Sequence, residues 1–176
     1  LTRYLIYPVP FFLYKYLSHL CRQSIVIFQL GLSFVLLRLL VPLPEDSQIS
    51  VASVAVGIFT CLLSGYLYFV ILACLELVAF WQDVVWNLMA MMRFTMSLLG
   101  GALIPLAFFP AWGKALVALT PFPAMVTFPA KAFLGQISAQ EWLINAGTLA
   151  FWAVVFTGVA SAIWQRGLKQ YTGVGI

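Results

Sequence analysis

Long apolar runs separated by short polar breaks dominate the chain. No charged residue occurs across the 29 positions from Ser47 to Leu75, the 20 from Phe94 to Gly113, or the 24 from Trp142 to Gln165. Residues 24–41 carry one charge, Arg38, near their end. A bilayer-spanning helix needs ~20 mostly apolar residues. The pattern therefore predicts four spans, at about 24–41, 51–75, 86–108 and 142–164. The breaks between them suit turns. Pro42-Leu43-Pro44-Glu45-Asp46-Ser47 is polar and broken by proline, and Trp81-Gln82-Asp83 forms a short link between the second and third spans.

Residues 109–141 show another pattern. They are moderately apolar, but Pro110, Pro121, Pro123 and Pro129 interrupt them, and they carry Lys114 and Lys131. The expectation is a broken helical segment that re-enters the membrane or lies on its surface. Irregular backbone at that depth must be covered by protein or face water. Within 1–22, Tyr4, Tyr7, Phe11, Phe12, Tyr14 and Tyr16 alternate with Arg3, Lys15, His19 and Arg22, and Pro8 and Pro10 are expected to break any helix there. Aromatic and basic residues together are typical of a membrane–water interface. The segment reads either as an interfacial anchor or as a cytoplasmic docking element.

Composition confirms the membrane class. Of 176 residues, 64% are hydrophobic and 8% charged, against ~25% charged in soluble domains; mean hydropathy is +1.04. Too little charge is present to cover a water-facing surface, which excludes a soluble enzyme. The net charge of +4 comes from scattered bases, with no run that could track a nucleic-acid backbone. The fold class expected is an all-α integral membrane protein, a single transmembrane domain over 1–176 with about four transmembrane helices and the broken segment. The chain starts at Leu1 without Met and reads as the back part of a longer protein. Four spans put both ends on one side. Arg3, Lys15 and Arg22 in front and Arg166 and Lys169 in the 165–176 tail outnumber Lys114 and Lys131, even with Arg38 added to the other side, so the positive-inside rule makes both ends cytoplasmic.

Little in the chain suggests chemistry. Cys21, Cys61 and Cys74 form no CxxC pair, and they read as small apolar residues. There is no HExxH, no GxSxG and no GxxxxGK[ST]. The expectation is a chain that is not an enzyme, with no catalytic residue, no metal site and no cofactor of its own. The informative charges are Glu76, Asp83 and Arg93, because ionisable groups at membrane depth are costly. Glu76 and Arg93 read as a snorkelling or structurally paired couple across a turn near 81–84, or as polar lining of a route across the membrane. Gly100-Gly101 ahead of Pro105 marks either a helix end or a hinge.

Several of these stretches resemble a known family. Gly101-Ala102-Leu103-Ile104-Pro105-Leu106-Ala107-Phe108-Phe109-Pro110-Ala111-Trp112 is similar to the "G-x-x-IPL-x-FFP-x-W" segment of ABC-2 type permeases of ABC exporters. Pro121-Phe122, Phe128-Pro129 and Phe133-Leu134-Gly135 resemble its "PF…P…LG" segment, and the tail from Trp164 to Gly175 its "W-x-x-GL-x-x-Y-x-x-x-G" close. Leu5-Ile6-Tyr7-Pro8-Val9 looks like the "L-x-x-P-[VL]" after the second span. Such permeases have six spans, so the resemblance implies that the chain lacks its N-terminal part and holds the coupling region and the last four spans.

The resemblance also implies a function: the permease subunit of an exporter in a bacterial plasma (inner) membrane. Its partners would be a separate ABC ATPase subunit carrying ATP and Mg, a second permease subunit (identical or not), and membrane lipid, but no nucleic acid. Arg3, Tyr7, Pro8 and Lys15 would belong to the coupling segment. Gly101, Pro105, Phe108, Phe109 and Pro110 would begin a re-entrant gate. Glu76 and Arg93 remain intramembrane polar candidates. A non-transporting membrane scaffold and a lipid-acting membrane enzyme are the other readings the composition allows.

Overall fold

The computed structural model describes residues 8–40, 50–82 and 84–170; of the side chains in the first helix, those at 30, 34, 37 and 38 lie outside the description. The regular structure of the described residues is all helical, with no strand. They form six α-helices: α1 Phe11–Leu40, α2 Val51–Glu76, α3 Trp86–Leu99, α4 Ala111–Ala118, α5 Phe122–Phe133 and α6 Ala139–Gln170. A 3₁₀ turn, Leu77–Phe80, extends α2, and another, Leu106–Phe108, precedes α4. The chain divides into two compact units, one holding α1 and the other α2 to α6.

In the first unit the structure corrects the expectation for residues 1–22. Pro8 and Pro10 precede the helix instead of breaking it. Tyr14 N–H donates to Pro10 O at 3.1 Å, so Pro10 supplies the first helical acceptor, a position where its missing N–H costs nothing. No further proline occurs before Leu40, and one helix of 30 residues results. Residues 11–22 and most of the span expected at 24–41 therefore share one rod.

The second unit is built on α2. Ser50 caps it reciprocally with Ser53: Ser53 N–H donates to Ser50 Oγ at 3.1 Å and Ser50 N–H to Ser53 Oγ at 2.8 Å, which satisfies two of the donors a helix start leaves open. Gly57, Thr60, Ser64, Leu67, Ile71 and Cys74 are buried along one face, at helical spacing. Against that face pack α5 and α6. The centre of the core is Leu67, Ile71, Met96, Ala124, Met125, Phe128, Leu149 and Ala153. The α6 seam carries Leu149, Ala153, Ala160 and Gly167, and its small members allow close backbone approach.

Two helices are long and apolar enough to cross a membrane on the described residues: Val51–Phe80, which is α2 with its 3₁₀ extension, and α6. The pair α4 and α5, bent by 90°, makes a third if it counts as one broken span. Two to three spans thus stand where the sequence predicts about four. The expected span at 24–41 falls within α1, which is not among these helices, and the one expected at 86–108 is too short. There α3 has 14 residues, about 21 Å at 1.5 Å per residue, short of a ~30 Å hydrocarbon layer. The expected broken segment is present within 109–141, as two short helices meeting at Leu119–Pro121.

Candidate functional site

Backbone chemistry explains where α3 stops. Gly101 has φ +88°, a left-handed conformation that costs glycine little. Ala102 N–H donates to Ser97 O at 3.0 Å and Gly101 N–H to Leu98 O at 3.3 Å, the paired bonds of a Schellman cap. Gly135, with φ +69°, ends α5 in the same way: Gln136 N–H reaches Lys131 O at 3.0 Å and Gly135 N–H reaches Ala132 O at 3.2 Å. Gly100-Gly101 is therefore a helix end. Thr127 Oγ1 donates to Gly100 O at 2.7 Å and so ties α5 to the end of α3. A Cβ at Gly100 would lie 2.5 Å from Val126 Cγ2, so the two helices also meet there without room for a side chain.

Between these capped ends the chain runs through the residues expected to form a gate. Pro105 opens the Leu106–Phe108 turn, and Pro110, extended at φ −62° and ψ 159°, caps α4. Phe108 is 79% exposed and Trp112 71%, while Phe109 is half-buried. Pro129 lies inside α5 and is buried.

A half-open cavity of about 180 Å³ lies where the Leu106 turn, α5 and α6 meet. Leu106, Pro123, Phe128 and Ile137 form its apolar wall; Thr127, Lys131, Glu141 and Asn145 supply the polar groups. Glu141 is placed by the start of α6. Ser138 N–H donates to its Oε2 at 3.1 Å, the Ser138 hydroxyl approaches the same oxygen at 3.2 Å, and Glu141 N–H returns to Ser138 Oγ at 3.2 Å. This is a capping box, with a carboxylate at the positive end of the helix dipole. Asn145, one turn on, donates to Glu141 O at 2.8 Å.

Polar bonds also cross the helix interface. Trp142 Nε1–H donates to Thr60 Oγ1 at 3.2 Å, and the Thr60 hydroxyl donates to Val56 O at 2.7 Å. Tyr66 OH meets Thr157 Oγ1 at 3.0 Å. The Cys74 thiol donates to Phe156 O at 3.5 Å. At the far end Trp81 Nε1–H donates to Gln170 Oε1, and Phe80 packs edge-on to Trp164 with centroids 5.7 Å apart. Bonds of this kind hold helices together where no water competes.

Of the coupling candidates, Arg3 and Tyr7 lie outside the described residues. Pro8 is exposed ahead of α1, and Lys15 sits over the Phe11 ring, 5.7 Å from its centroid. Glu76 is the last residue of α2 and half-buried. The couple with Arg93 does not form: the Arg93 guanidinium lies over Trp86, on its own helix α3, at 5.7 Å, an arrangement a ring quadrupole favours. Asp83 is outside the described residues. Cys21, Cys61 and Cys74 form no disulfide with one another, and Cys74 is buried. Among the described residues no three His, Cys, Asp or Glu side chains gather to hold a metal.

A family model described as ABC-2 family transporter protein matches residues 1–175. The chain belongs to the ABC-2 transporter family. It is accordingly an integral membrane protein and a transport permease. No curated protein and no solved structure matches it. In this ABC-2 chain two glycines of the resembling motifs, Gly101 and Gly135, are left-handed helix caps that bound the bent segment. Sequence reasoning misses the cavity, because its groups lie on three elements. One signal was available: Ser138-x-x-Glu141 ahead of an apolar run marks a helix start and places a carboxylate there.

Proposed function

We propose that the chain is the permease subunit of an exporter driven by ATP hydrolysis on a separate ABC ATPase subunit, working beside a second permease subunit in a bacterial inner membrane. The observation that carries this reading is the family match over residues 1–175. ATP and Mg belong to the ATPase, because the chain has no GxxxxGK[ST] loop to cradle phosphates. Both ends face the cytoplasm, where the flanking bases favour them. The segment Arg3 to Tyr16 receives the movement of the ATPase. Its later part, from Phe11, is the head of α1, so a push there is delivered along a continuous helix. Residues Pro105 to Gly135 form the outward gate, a role suited to two short helices with a 90° bend held at both ends by glycine caps.

The test is co-expression with a candidate ABC ATPase from the same genome, then reconstitution in liposomes. The two chains should co-purify, ATP turnover should require both, and the chain alone should hydrolyse none. Reversal of Arg3 and Lys15 to Glu should weaken co-purification most at low salt, since rim charges act mainly on encounter, while membrane insertion stays unchanged. Failure of the ATPase to associate, or ATP hydrolysis by the chain alone, overturns the reading.

A further inference from the structure

The cavity beside α6 has a composition that transport alone does not explain. Lys131 stands on the last turn of α5 and Glu141 on the first turn of α6, and both line the same space. Their charges attract one another, yet no ion pair joins them, and the Lys131 ammonium has no partner among the described residues. Glu141 uses one carboxylate oxygen, Oε2, on Ser138; the other, Oε1, is open. Asn145, which also lines the cavity, spends one N–H on the backbone and has a side-chain carbonyl oxygen as a further acceptor. A cation and an anion thus sit at the rim of one pocket without closing on each other. A ligand with the opposite arrangement, anion then cation, satisfies both.

Size and position narrow the ligand further. About 180 Å³ holds roughly ten non-hydrogen atoms at close packing, enough for a phosphate joined to a short amine. The cavity lies at the polar start of α6, level with the Trp142–Thr60 bond. Aromatic residues with one polar atom favour the depth of lipid headgroups. Leu106, Phe128 and Ile137 form its apolar side, and Ile144, 62% exposed, is the neighbour three residues on from Glu141 on the surface of α6. An acyl chain leaving the cavity has an apolar surface to lie on.

We propose that this cavity binds the headgroup of an amine-bearing zwitterionic phospholipid, with Lys131 on the phosphate and Glu141 and Asn145 on the ammonium. Such a lipid clamps α5 to α6 at the mouth of the bent segment. The site is independent of the ATP-driven reading and would exist in a non-transporting member as well.

The delipidated chain in detergent is offered dihexanoyl phosphatidylethanolamine, dihexanoyl phosphatidylglycerol or free phosphoethanolamine, and bound adducts are counted by native mass spectrometry. Phosphatidylethanolamine should bind best. Lys131→Met and Glu141→Gln should each weaken it by about tenfold, the loss of one charge-assisted bond. Glu141→Gln keeps the capping box, since Gln serves at that position. Ile137→Trp, which fills the cavity and leaves both charges, should also abolish binding, and covers the case of an unfolded Lys131 variant. Binding unchanged in all three variants overturns the site. Phosphatidylglycerol binding as tightly and ignoring Glu141→Gln overturns the zwitterion. Phosphoethanolamine binding as tightly as the lipid overturns the assignment to a lipid.

Discussion

The two membrane-crossing helices of the second unit are close in length and hydropathy but differ in what surrounds them. Along its most apolar 18 residues, α2 with its extension is 39% buried and α6 17%. On α2, Leu67 and Ile71 are almost fully covered, and a Cβ at Gly57 would lie 2.5 Å from the Phe133 ring. On α6 one seam is as tight: Leu149 is fully buried, and Gly167 sits against the Phe80 ring with no space for a methyl. The opposite face of α6 is bare. Phe151 and Val154 are 62% and 74% exposed, and Gly147 and Gly158 have no atom within 4 Å of where a Cβ would stand. Hydropathy reports that both helices prefer apolar surroundings. It does not report whether protein or lipid supplies them, since lipid tails are as apolar as leucine.

Substitutions on the two faces can break or sharpen this contrast. The largest effect should come from Leu149→Ala, which empties a fully buried site and should cost about 2–5 kcal/mol. Val154→Ala, on the open face of the same helix, should change stability by less than about 0.5 kcal/mol. Unfolding of the detergent-solubilised chain measures both, and equal losses would erase the distinction between the faces. Next comes Gly57→Ala, which pushes a methyl into the Phe133 ring and should cost about 1–3 kcal/mol. Phe133→Leu in the same chain should recover part of that loss, because the conflict is between those two groups.

A smaller effect is expected from Trp142→Phe. It keeps an aromatic ring and removes the bond to Thr60, for a loss of about 1 kcal/mol; in a Thr60→Val background the same change should cost almost nothing. The smallest, and opposite in sign, is Gly147→Ala. Alanine replaces glycine in an open helix interior and should stabilise the isolated chain by up to about 1 kcal/mol. If the assembled permease is destabilised by this substitution while the isolated chain gains, a second subunit packs on that face. If both gain, the face meets lipid.

Much of the element pattern is legible along the chain. The charge-free stretches at 47–75 and 142–165 correspond to α2 and α6, and four prolines with two lysines announce the broken segment. Where sequence and structure part, the cause is local. At 86–108 hydropathy runs on through Gly100-Gly101, but a left-handed glycine ends the helix there, however apolar the next residues are. Pro8 and Pro10 have the look of breakers, although proline just ahead of a helix is well tolerated. Spacing can bring Glu76 and Arg93 close, yet the guanidinium lies over Trp86, seven residues before Arg93 on its own helix.

Sequence alone determined that this chain lives in a membrane as helices, because too few charged groups exist to solvate it and the family motifs run in order along it. Some helix ends are local as well, since caps such as Ser50–Ser53, Ser138–Glu141 and Gly135 are contacts within a few residues. Only the tertiary structure decided which face of α2 and α6 is buried, that Thr60 meets Trp142, and that Lys131 and Asn145 open onto one cavity. Those pairings join residues on separate elements, and in helices apolar all round no periodicity marks one side from another. The packing of Phe133 into the space at Gly57 and of Phe80 at Gly167 chooses the face.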